Sequence, residues 1–458
     1  MNPNNSYDAA LVRRYDVAGP RYTSYPTALQ FDNFDRTQFV QAIDDSHNAG
    51  RDLSLYIHIP FCSKLCYYCA CNKIVTRNKA LGVEYLELLA AEIALTSNYF
   101  KNRSIAQLHL GGGTPTFLDD EQINRLFASL RDAFTFRDDQ SGEFSIEIDP
   151  RTVDPERISA LRSVGFNRLS FGIQDFNEKV QKAVNRKQSF EETQAAMNRA
   201  REEGFKSVSV DLIYGLPFQS RQTFTETLHL VNELRPDRIS IYNYAHLPDR
   251  FPPQQRILAT DLPNPDEKLE ILDLCVDELT RRGYVSIGMD HFALPDDELT
   301  IAQQQGTLHR NFQGYSTMAE LDMLALGVTA ISHIGNTYSQ NTRELDNYRA
   351  ALTKGQLPIE KGVVIDRDDQ LRGAVIRGLM CQFRIDYADF LSIHKVDFVD
   401  YFPDELNRLK TMQADGLLKL SPTGIEVTPR GRYLIRNVAM VFDRHLPGTT
   451  NNRFSRAI

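Results

Sequence analysis

The 458-residue sequence has only six cysteines, no excess of positive charge and no long apolar run. Six cysteines are too few for a scaffold held together by disulfides. A formal net charge of −8 gives no general attraction to phosphate backbones, so nucleic-acid binding is not expected. The N-terminal residues lack the apolar core of a signal peptide, and the most apolar stretch, 323–334, is too short to span a bilayer. These absences predict a cytoplasmic protein without a membrane span.

Six short runs rich in β-branched and aromatic residues alternate with amphipathic segments over the first half of the chain. The runs predict strands at 54–60, 107–110, 143–148, 168–173, 207–213 and 238–244. The segments between them predict helices at 85–96, 120–133, 155–164, 190–203 and 222–233, with N-caps at Asp119, Asp154, Ser189 and Ser220. This alternation implies a parallel sheet, open or closed as a barrel, with its chemistry at the carboxyl ends of the strands.

The alternation of strands and helices ends near residue 245. The first 50 residues are polar, contain Pro20 and Pro26, and predict an arm without long regular structure. A proline-rich linker precedes a predicted helix at 266–282 and a strand at 284–289, and the C-terminal segment predicts helices at 370–381 and 404–414, then a wing-like hairpin and another helix. The expected division is an arm at 1–50, a catalytic barrel with its extension at 51–365, and a helical domain at 366–458.

Four of the cysteines lie between Cys62 and Cys71, directly after the first predicted strand. Thiolates are soft ligands, typical of zinc and iron–sulfur sites. The C-x3-C-x2-C spacing of Cys62, Cys66 and Cys69 offers three ligands to a four-iron cube, which leaves one iron free to bind a substrate or cofactor. Two alternatives stay open on spacing alone: a zinc site, and a cluster completed by Cys71 that only transfers electrons.

The cysteine loop resembles that of the radical S-adenosylmethionine (SAM) superfamily. A second motif, Gly111-Gly112-Gly113-Thr114-Pro115, follows the second predicted strand and resembles the SAM-binding glycine segment of that superfamily. Within the superfamily, the chain resembles the oxygen-independent coproporphyrinogen III oxidase family. The segments that carry this resemblance span almost the whole chain: RYTSYPTA (21–28), YIHIPFC (56–62), CACN (69–72), SFGIQDF (170–176), DLIYGLP (211–217) and RNFQGYST (310–317).

The resemblance implies a fold and a set of site residues. The fold is α/β, an incomplete (β/α)6 TIM-like barrel of the radical SAM type, with an N-terminal arm and a mostly helical, winged-helix-like C-terminal domain. Cys62, Cys66 and Cys69 would ligate a [4Fe-4S] cluster, and the methionine part of SAM would bind its fourth iron. Two SAM molecules are implied. The implied SAM contacts are Tyr56, Tyr68, Gly112, Gly113, Thr114, Glu147, Gln174, Arg186, Asp211, Ala245 and Ile331.

The roles of Cys71 and two arginines are less direct. The resemblance places Cys71 near the second SAM or the substrate as a catalytic thiol, and an incidental loop cysteine is the alternative. Arg21 and Arg310 are hypothetical ligands of the substrate, because a molecule with four carboxylates needs cationic partners. A structural role is the alternative for both arginines. The two remaining cysteines lie in helical apolar patterns and are expected to be buried thiols: Cys275 and Cys381.

The activity implied by the resemblance is the oxidative decarboxylation of two propionate side chains of coproporphyrinogen III to vinyl groups, giving protoporphyrinogen IX. A 5′-deoxyadenosyl radical, formed when a reduced cluster cleaves SAM, would take a hydrogen from the propionate β-carbon, which ordinary bases cannot deprotonate. An external flavodoxin- or ferredoxin-like electron donor and an electron acceptor are further implied partners. A monomer is expected.

Two other functions compete with this interpretation. Haem chaperones of the same superfamily usually lack the second cysteine of the Cys69–Cys71 pair, and they carry an Asn-x-x-Tyr-Trp segment where this chain reads Asn311-Phe312-Gln313-Gly314-Tyr315. The chain contains no tryptophan, which favours the oxidase. The other competitor is a zinc scaffold with a DNA-binding winged helix, but the C-terminal segment has no dense basic recognition helix.

Overall fold

The computed structural model describes residues 9–47, 50–319 and 321–446. The chain packs as two compact units. Of the described residues, those at 31–47, 50–263 and 321–364 form the first, which we call the barrel unit, and those at 9–30, 264–319 and 365–446 form the second, the terminal unit. The helix Arg36–His47, in the segment expected to lack long regular structure, belongs to the barrel unit. The functional division at residues 50 and 365 stays a prediction.

Six parallel strands form the centre of the barrel unit and neighbour one another in chain order. They are β1 (Leu53–Ile59), β2 (Ser104–Gly112), β3 (Glu143–Ile148), β4 (Arg168–Gln174), β5 (Ser207–Tyr214) and β6 (Arg238–Asn243). All six predicted strands are confirmed. On β3, β4 and β5 the fully buried residues alternate with partly exposed ones, many of them polar, so one face of each strand packs into the core and the other lines a polar space.

A helix follows each of the first five of these strands and connects it to the next. They are Ala80–Ser97, Asp120–Ala133, Pro155–Val164, Phe190–Glu202 (preceded by Glu178–Ala183) and Arg221–Leu234. The predicted caps are confirmed: each of Asp119, Asp154, Ser189 and Ser220 accepts a backbone N–H of the first turn. Two 3₁₀ turns, Pro252–Arg256 and Ala259–Asp261, follow β6 instead of a helix. The architecture is therefore the expected incomplete barrel.

An antiparallel extension continues the sheet beyond β1, and the sequence did not predict it. β7 (Asp322–Leu326) runs parallel to β1, and β8 (Ile331–Ile334), β9 (Thr337–Asn341) and β10 (Ile359–Val364) follow as antiparallel neighbours. The helix Leu345–Thr353 lies between β9 and β10. The two-residue strand Asp32–Asn33 pairs with β10 at this edge, and another short strand, Thr135–Phe136, pairs with β2. The apolar run 323–334 is thus two sheet strands joined by a tight turn.

The terminal unit is mostly helical. Its helices are Ala9–Tyr15, Pro265–Arg281, Glu298–Gln305, Arg367–Gln382, Tyr387–His394, Phe398–Tyr401, Pro403–Ala414, Pro429–Arg432 and Ile435–Met440, with the 3₁₀ turn Ala28–Gln30. Its strands are Val285–Gly288 with His291–Ala293, His309–Asn311 with Gly314–Ser316, and the sheet of Arg384–Asp386, Gly424–Val427 and Leu418–Ser421. The last two strands form the predicted wing-like hairpin. The hydrophobic core of the terminal unit includes Leu371, Val375, Phe398, Phe402 and Phe442.

No helix in the described parts of the chain is long and apolar enough to cross a membrane.

Candidate active site

The cysteine loop is held by backbone hydrogen bonds where it leaves β1. Its first residues, Phe61–Cys62, pair in parallel with Ile74–Val75, which follow the last cysteine. The Thr76 N–H donates to the Cys62 carbonyl at 2.9 Å. Midway along the loop, the side-chain amide of Asn185 donates to the Leu65 carbonyl at 2.7 Å. The loop therefore has fixed ends and a fixed middle, and it carries all four clustered cysteines.

Two of the predicted cluster ligands accept hydrogen bonds through sulfur. Cys66 Sγ lies 3.4 Å from Arg151 Nη2 and 3.4 Å from Arg186 Nη1. Cys62 Sγ accepts from the Thr114 hydroxyl, also at 3.4 Å. Donors aimed at sulfur favour the thiolate and tune the potential of a cluster that the thiolates hold.

Asp149, which follows β3, joins the two arginines behind Cys66. Its Oδ2 lies 2.7 Å from Arg151 Nη2 and 3.2 Å from Arg186 Nη1. Burial alone would raise the pKa of Asp149, but the two guanidinium groups outweigh it and lower that pKa. Arg186 is only 6% exposed, and its Nε has no hydrogen-bond partner. A buried N–H without a partner is costly, so Arg186 Nε fits a site completed by an anionic group of a bound molecule.

Two thiols of the cysteine loop have shifted pKa values. A hydrogen bond from Cys71, opposed by burial and aided by Lys73, lowers the pKa of Cys69 to about 6. Burial raises the pKa of Cys62 to about 11.

The glycine segment packs directly against the strand end that leads into the cysteine loop. Gly113 N–H donates to the Ile59 carbonyl at 2.8 Å, and Thr114 N–H donates to the Phe61 carbonyl at 2.9 Å. A Cβ on Gly113 would lie 2.8 Å from the Phe61 carbonyl oxygen, and one on Gly112, whose φ is +114°, would lie 2.6 Å from the His58 ring. Only glycine fits either position.

Glu147 and Asp211 lie on the polar face of the central strands. Glu147 Oε2 accepts the Gly112 N–H at 3.2 Å, and its Oε1 lies 3.3 Å from His109 Nε2. Ser170, directly opposite Glu147 on β4, donates through its hydroxyl to Asp211 Oδ2 at 3.0 Å. Glu147 is near the end of β3 and Gln174 ends β4 with a φ of +68°, while Asp211 lies in the middle of β5.

The two carboxylates differ in their protonation. Burial would raise the pKa of Glu147, but the hydrogen bond and charge of His109, together with the Gly112 N–H, outweigh it and lower that pKa. Burial, and then the charge of Glu147, raise the pKa of Asp211 to about 6. One carboxylate is therefore ionised at neutral pH, and the other gains a proton in mildly acidic solution.

The two predicted tyrosines have different surroundings within the barrel unit. The Tyr56 ring stacks on His109 with 5.8 Å between ring centroids and 14° between planes, and its hydroxyl lies 3.1 Å from His58 Nδ1. Tyr68 packs against an apolar cluster that includes Val184. Burial raises the pKa of both tyrosines.

Three further predicted residues belong to the barrel unit. Cys71 is exposed, and a hydrogen bond with Cys69 raises its pKa. Ala245 follows β6 by two residues and Ile331 begins β8, and both are half-buried. Cys275 and Cys381 are buried in helices of the terminal unit, as expected.

Arg21 and Arg310 contact each other within the terminal unit. Arg310 Nε donates to the Arg21 carbonyl at 3.3 Å, and its guanidinium lies 4.7 Å from the centre of the Tyr315 ring. Arg21 pairs with Asp290, which also binds His291 Nδ1 at 2.8 Å. Arg310 is 7% exposed, and its Nη1 has no hydrogen-bond partner.

Sequence reasoning missed four residues that shape this site: His58, His109, Asp149 and Arg151. Asp149 and Arg151 follow the carboxyl end of β3, the position at which barrel folds concentrate chemistry, so the strand prediction contained a usable signal. No such signal exists for His109. It lies beside Tyr56 and Glu147 because β1, β2 and β3 pair with one another in the folded sheet.

Comparison with known proteins identifies the family. Residues 56–231 match the model of the radical SAM superfamily, and residues 365–434 match that of the HemN C-terminal domain. An oxygen-independent coproporphyrinogen III oxidase from Pseudomonas aeruginosa is 49% identical over 457 residues, covering 99% of each chain. The chain belongs to the oxygen-independent coproporphyrinogen III oxidase family. A member from Escherichia coli is also 49% identical, over 99% of this chain and 98% of that protein.

A solved structure of the oxidase family agrees with this assignment. The coproporphyrinogen III oxidase of Escherichia coli, described as a radical SAM enzyme, matches with a TM-score of 0.92 and 48% identity, covering 97% of this chain and 100% of that one. Membership confirms the resemblance and the fold that it implied. It also means that a [4Fe-4S] cluster and SAM are the cofactors, and that the zinc scaffold is wrong.

Proposed function

We propose that this chain oxidatively decarboxylates two propionate side chains of coproporphyrinogen III to vinyl groups without oxygen, giving protoporphyrinogen IX. The observation that carries the proposal is the full-length identity of 49% to proteins named for this oxidase. Relatives at this identity carry the oxidase name, which favours this function over haem delivery. The barrel unit contributes the thiols, the polar strand faces and the unpartnered Arg186 Nε–H that such a reaction needs.

The proposed cluster ligands are Cys62, Cys66 and Cys69. Bound together, the cluster and SAM supply a carbon radical able to take a hydrogen atom from an unactivated carbon. Arg151, Arg186 and Thr114 hold the cysteine sulfurs by hydrogen bonds and fix the loop.

The proposed SAM contacts Glu147, Gln174 and Asp211 are supported by their position on the partly exposed faces of β3, β4 and β5. Arg186 Nε is free to bind a carboxylate. Glu147 and Asp211 can accept hydrogen bonds from an ammonium group or ribose hydroxyls. Tyr68 offers an aromatic face for a purine, and Tyr56 and the glycine segment shape the space beside it. Gln174, Ala245 and Ile331 remain proposed SAM contacts, and the binding of two SAM molecules also remains a proposal.

The proposed substrate ligands are Arg21 and Arg310. Arg310 Nη1 lacks a partner although the side chain is buried, which suits a group that a substrate carboxylate completes. Arg21 is neutralised in part by Asp290, so Arg310 is the stronger candidate of the two. Cys71 is proposed as the exposed catalytic thiol of the cysteine loop.

The test is anaerobic turnover of the protein reconstituted with iron and sulfide. SAM, a reductant, an electron acceptor and coproporphyrinogen III are added, and chromatography looks for protoporphyrin and 5′-deoxyadenosine together. Cys66→Ser is expected to lose the cluster and both products while keeping the circular dichroism of the folded chain. Cys275→Ala, which changes a buried cysteine of the terminal unit, is the control and is expected to retain both products. Formation of 5′-deoxyadenosine without any porphyrin product would contradict the proposed substrate.

The electron donor, the acceptor, a cytoplasmic location and a monomeric state remain proposals.

A further inference from the structure

A cavity of about 590 Å³ opens beside the cysteine loop of the barrel unit. Residues of the loop itself, Ser63 to Leu65, form part of its wall. Arg151 forms another part, and its Nη2 is the donor 3.4 Å from Cys66 Sγ. The cavity therefore reaches within one side chain of a proposed cluster ligand.

The charge of the cavity is one-sided. Among the described residues, four cationic side chains and no carboxylate line it, although one of the four, Arg151, is paired with Asp149: the four are Lys64, Arg77, Arg151 and Lys187. Lys187 lies 3.6 Å from Glu178, which is also paired with Lys182 at 2.6 Å. Within the described ranges, neither Lys64 nor Arg77 is paired with a carboxylate. Because the whole chain carries a net charge of −8, this patch is a local reversal of its field.

The cavity also has an apolar component. Leu65 and Val75 line it, and Val75 is 46% exposed. Leu65 is half-buried, and such partly exposed apolar side chains with charged ones around them resemble the centre and rim of a protein–protein interface. Lys64, Arg77 and Lys187, which we call the cationic rim, are all exposed.

We propose that the cationic rim is the docking surface for a small acidic protein that carries a single electron at its surface. The inference rests on the proposed function, because only a cluster at Cys62, Cys66 and Cys69 gives such a partner a purpose here. The carrier loses one electron and the cluster gains one, with no bond made or broken and no proton moved. Opposite charges on the two surfaces steer the encounter, and the apolar pair beneath the rim excludes water.

The test compares electron donors on variants of the rim. Arg77→Glu combined with Lys187→Glu reverses two rim charges outside the cysteine loop. The matched control, Lys101→Glu combined with Lys354→Glu, makes the same charge change at exposed lysines elsewhere in the barrel unit. Reduced flavodoxin is the acidic protein probe, reduced methyl viologen is a small cationic donor, and reduced flavin mononucleotide is a small anionic one. Stopped-flow bleaching of the cluster gives the reduction rate, and microscale thermophoresis with oxidised flavodoxin gives the affinity.

The rim variant is expected to lose about tenfold in flavodoxin affinity and in its reduction rate by flavodoxin, while the methyl viologen rate is unchanged. Raising the salt from about 50 to 300 mM is expected to lower the rate at which flavodoxin reduces the cluster of the unaltered chain, and to have little effect on that rate in the variant. Equal losses in the control would overturn the proposal. So would an equal loss with flavin mononucleotide, which would make the rim a site for small anions. Iron and sulfide analysis separates these results from failure of the proposed function, which would show as the absence of a cluster.

Discussion

At the scale of single residues, the site combines groups that motifs reveal with groups that only folding brings together. Cys62, Cys66 and Cys69 and the glycine segment are recognisable because their spacing is local. Asp149 and Arg151 are not recognisable in this way, because their role in the site depends on contacts with Arg186 and Cys66, which lie far away in the sequence. No sequence pattern shows that Arg186 Nε is left without a partner.

Asp211 gives a pH-dependent prediction at this scale. With its pKa raised to about 6, the ionised fraction of Asp211 rises from about a quarter at pH 5.5 to nearly all at pH 7.5. If only the ionised form accepts SAM hydroxyl groups and favours its sulfonium charge, SAM affinity is expected to rise about fourfold over that interval. Isothermal titration of the cluster-loaded chain measures it.

Asp211→Asn is expected to remove this rise, because the amide does not titrate. Asp132→Asn, an exposed aspartate on the helix after β2, serves as the control and should retain it. A rise of the same size in Asp211→Asn would assign the titration to another group.

At the scale of elements, the alternation of strands and helices allowed the barrel to be predicted from the sequence. The strands and helices from Leu53 to Asn243 follow the predicted order because strands and helices differ in the period of their apolar residues, and four of the five predicted helices have a capping side chain. The extension β7–β10 was missed because its strands are short and antiparallel, with Thr337–Asn341 wholly buried and largely polar. Such a strand shows neither an apolar run nor alternation, and only its pairing partners determine it.

Glu92 joins the helix Ala80–Ser97 to this extension. Its carboxyl accepts from Asn341 Nδ2 at 2.6 Å, from the Gly327 N–H at 2.8 Å and from the Tyr348 hydroxyl at 2.5 Å. Burial raises its pKa to about 7, against an ordinary value of 4.5, and the three donors offset part of this effect. The native chain thus holds the proton more tightly than the unfolded chain does.

The sign of the effect on stability follows from that difference. The Glu92 contribution is complete below about pH 4.5 and is lost as the pH rises to about 7, with a slope of up to about 1.4 kcal/mol per pH unit. Glu92→Gln is expected to remove this slope, whatever its effect on absolute stability. Urea unfolding at intervals between pH 5 and 8 measures it. A slope equal to that of the unaltered chain would contradict the prediction.

At the scale of the whole molecule, the two units are not continuous in sequence. The terminal unit gathers three separate segments, and contacts such as Arg14 with Asp415 and Arg436 with the Pro20 carbonyl join its two ends. Sequence composition shows a change near residue 245 but cannot show which distant segments pack together. The cofactor residues belong to one unit and the proposed substrate arginines to the other.

This division predicts a separation of binding functions. Arg310→Gln is expected to weaken binding of coproporphyrin III, a stable porphyrin with the same four carboxylates, by about 10- to 100-fold, because a charge-assisted hydrogen bond is lost. The dissociation constant of SAM should be unchanged. Fluorescence quenching and isothermal titration measure the two affinities.

Arg310→Lys keeps the charge and is expected to lose less affinity for coproporphyrin III than Arg310→Gln. Arg13→Gln, which removes an exposed arginine paired with Asp266, is the control and should alter neither affinity. An equal loss of SAM affinity in Arg310→Gln would show that the residue acts on the fold rather than on the porphyrin.

The alternation on β3 and β5 has a consequence for how such an enzyme can change over time. Ile146, Ile148, Val208 and Val210 point into the core and supply stability, while Glu147 and Asp211 point into the polar space and supply chemistry. The two duties fall on alternate positions of the same strands. Substitutions that adapt the polar space to a different reactant therefore leave the hydrophobic core unchanged. Related proteins can acquire new substrates in this way without a loss of stability.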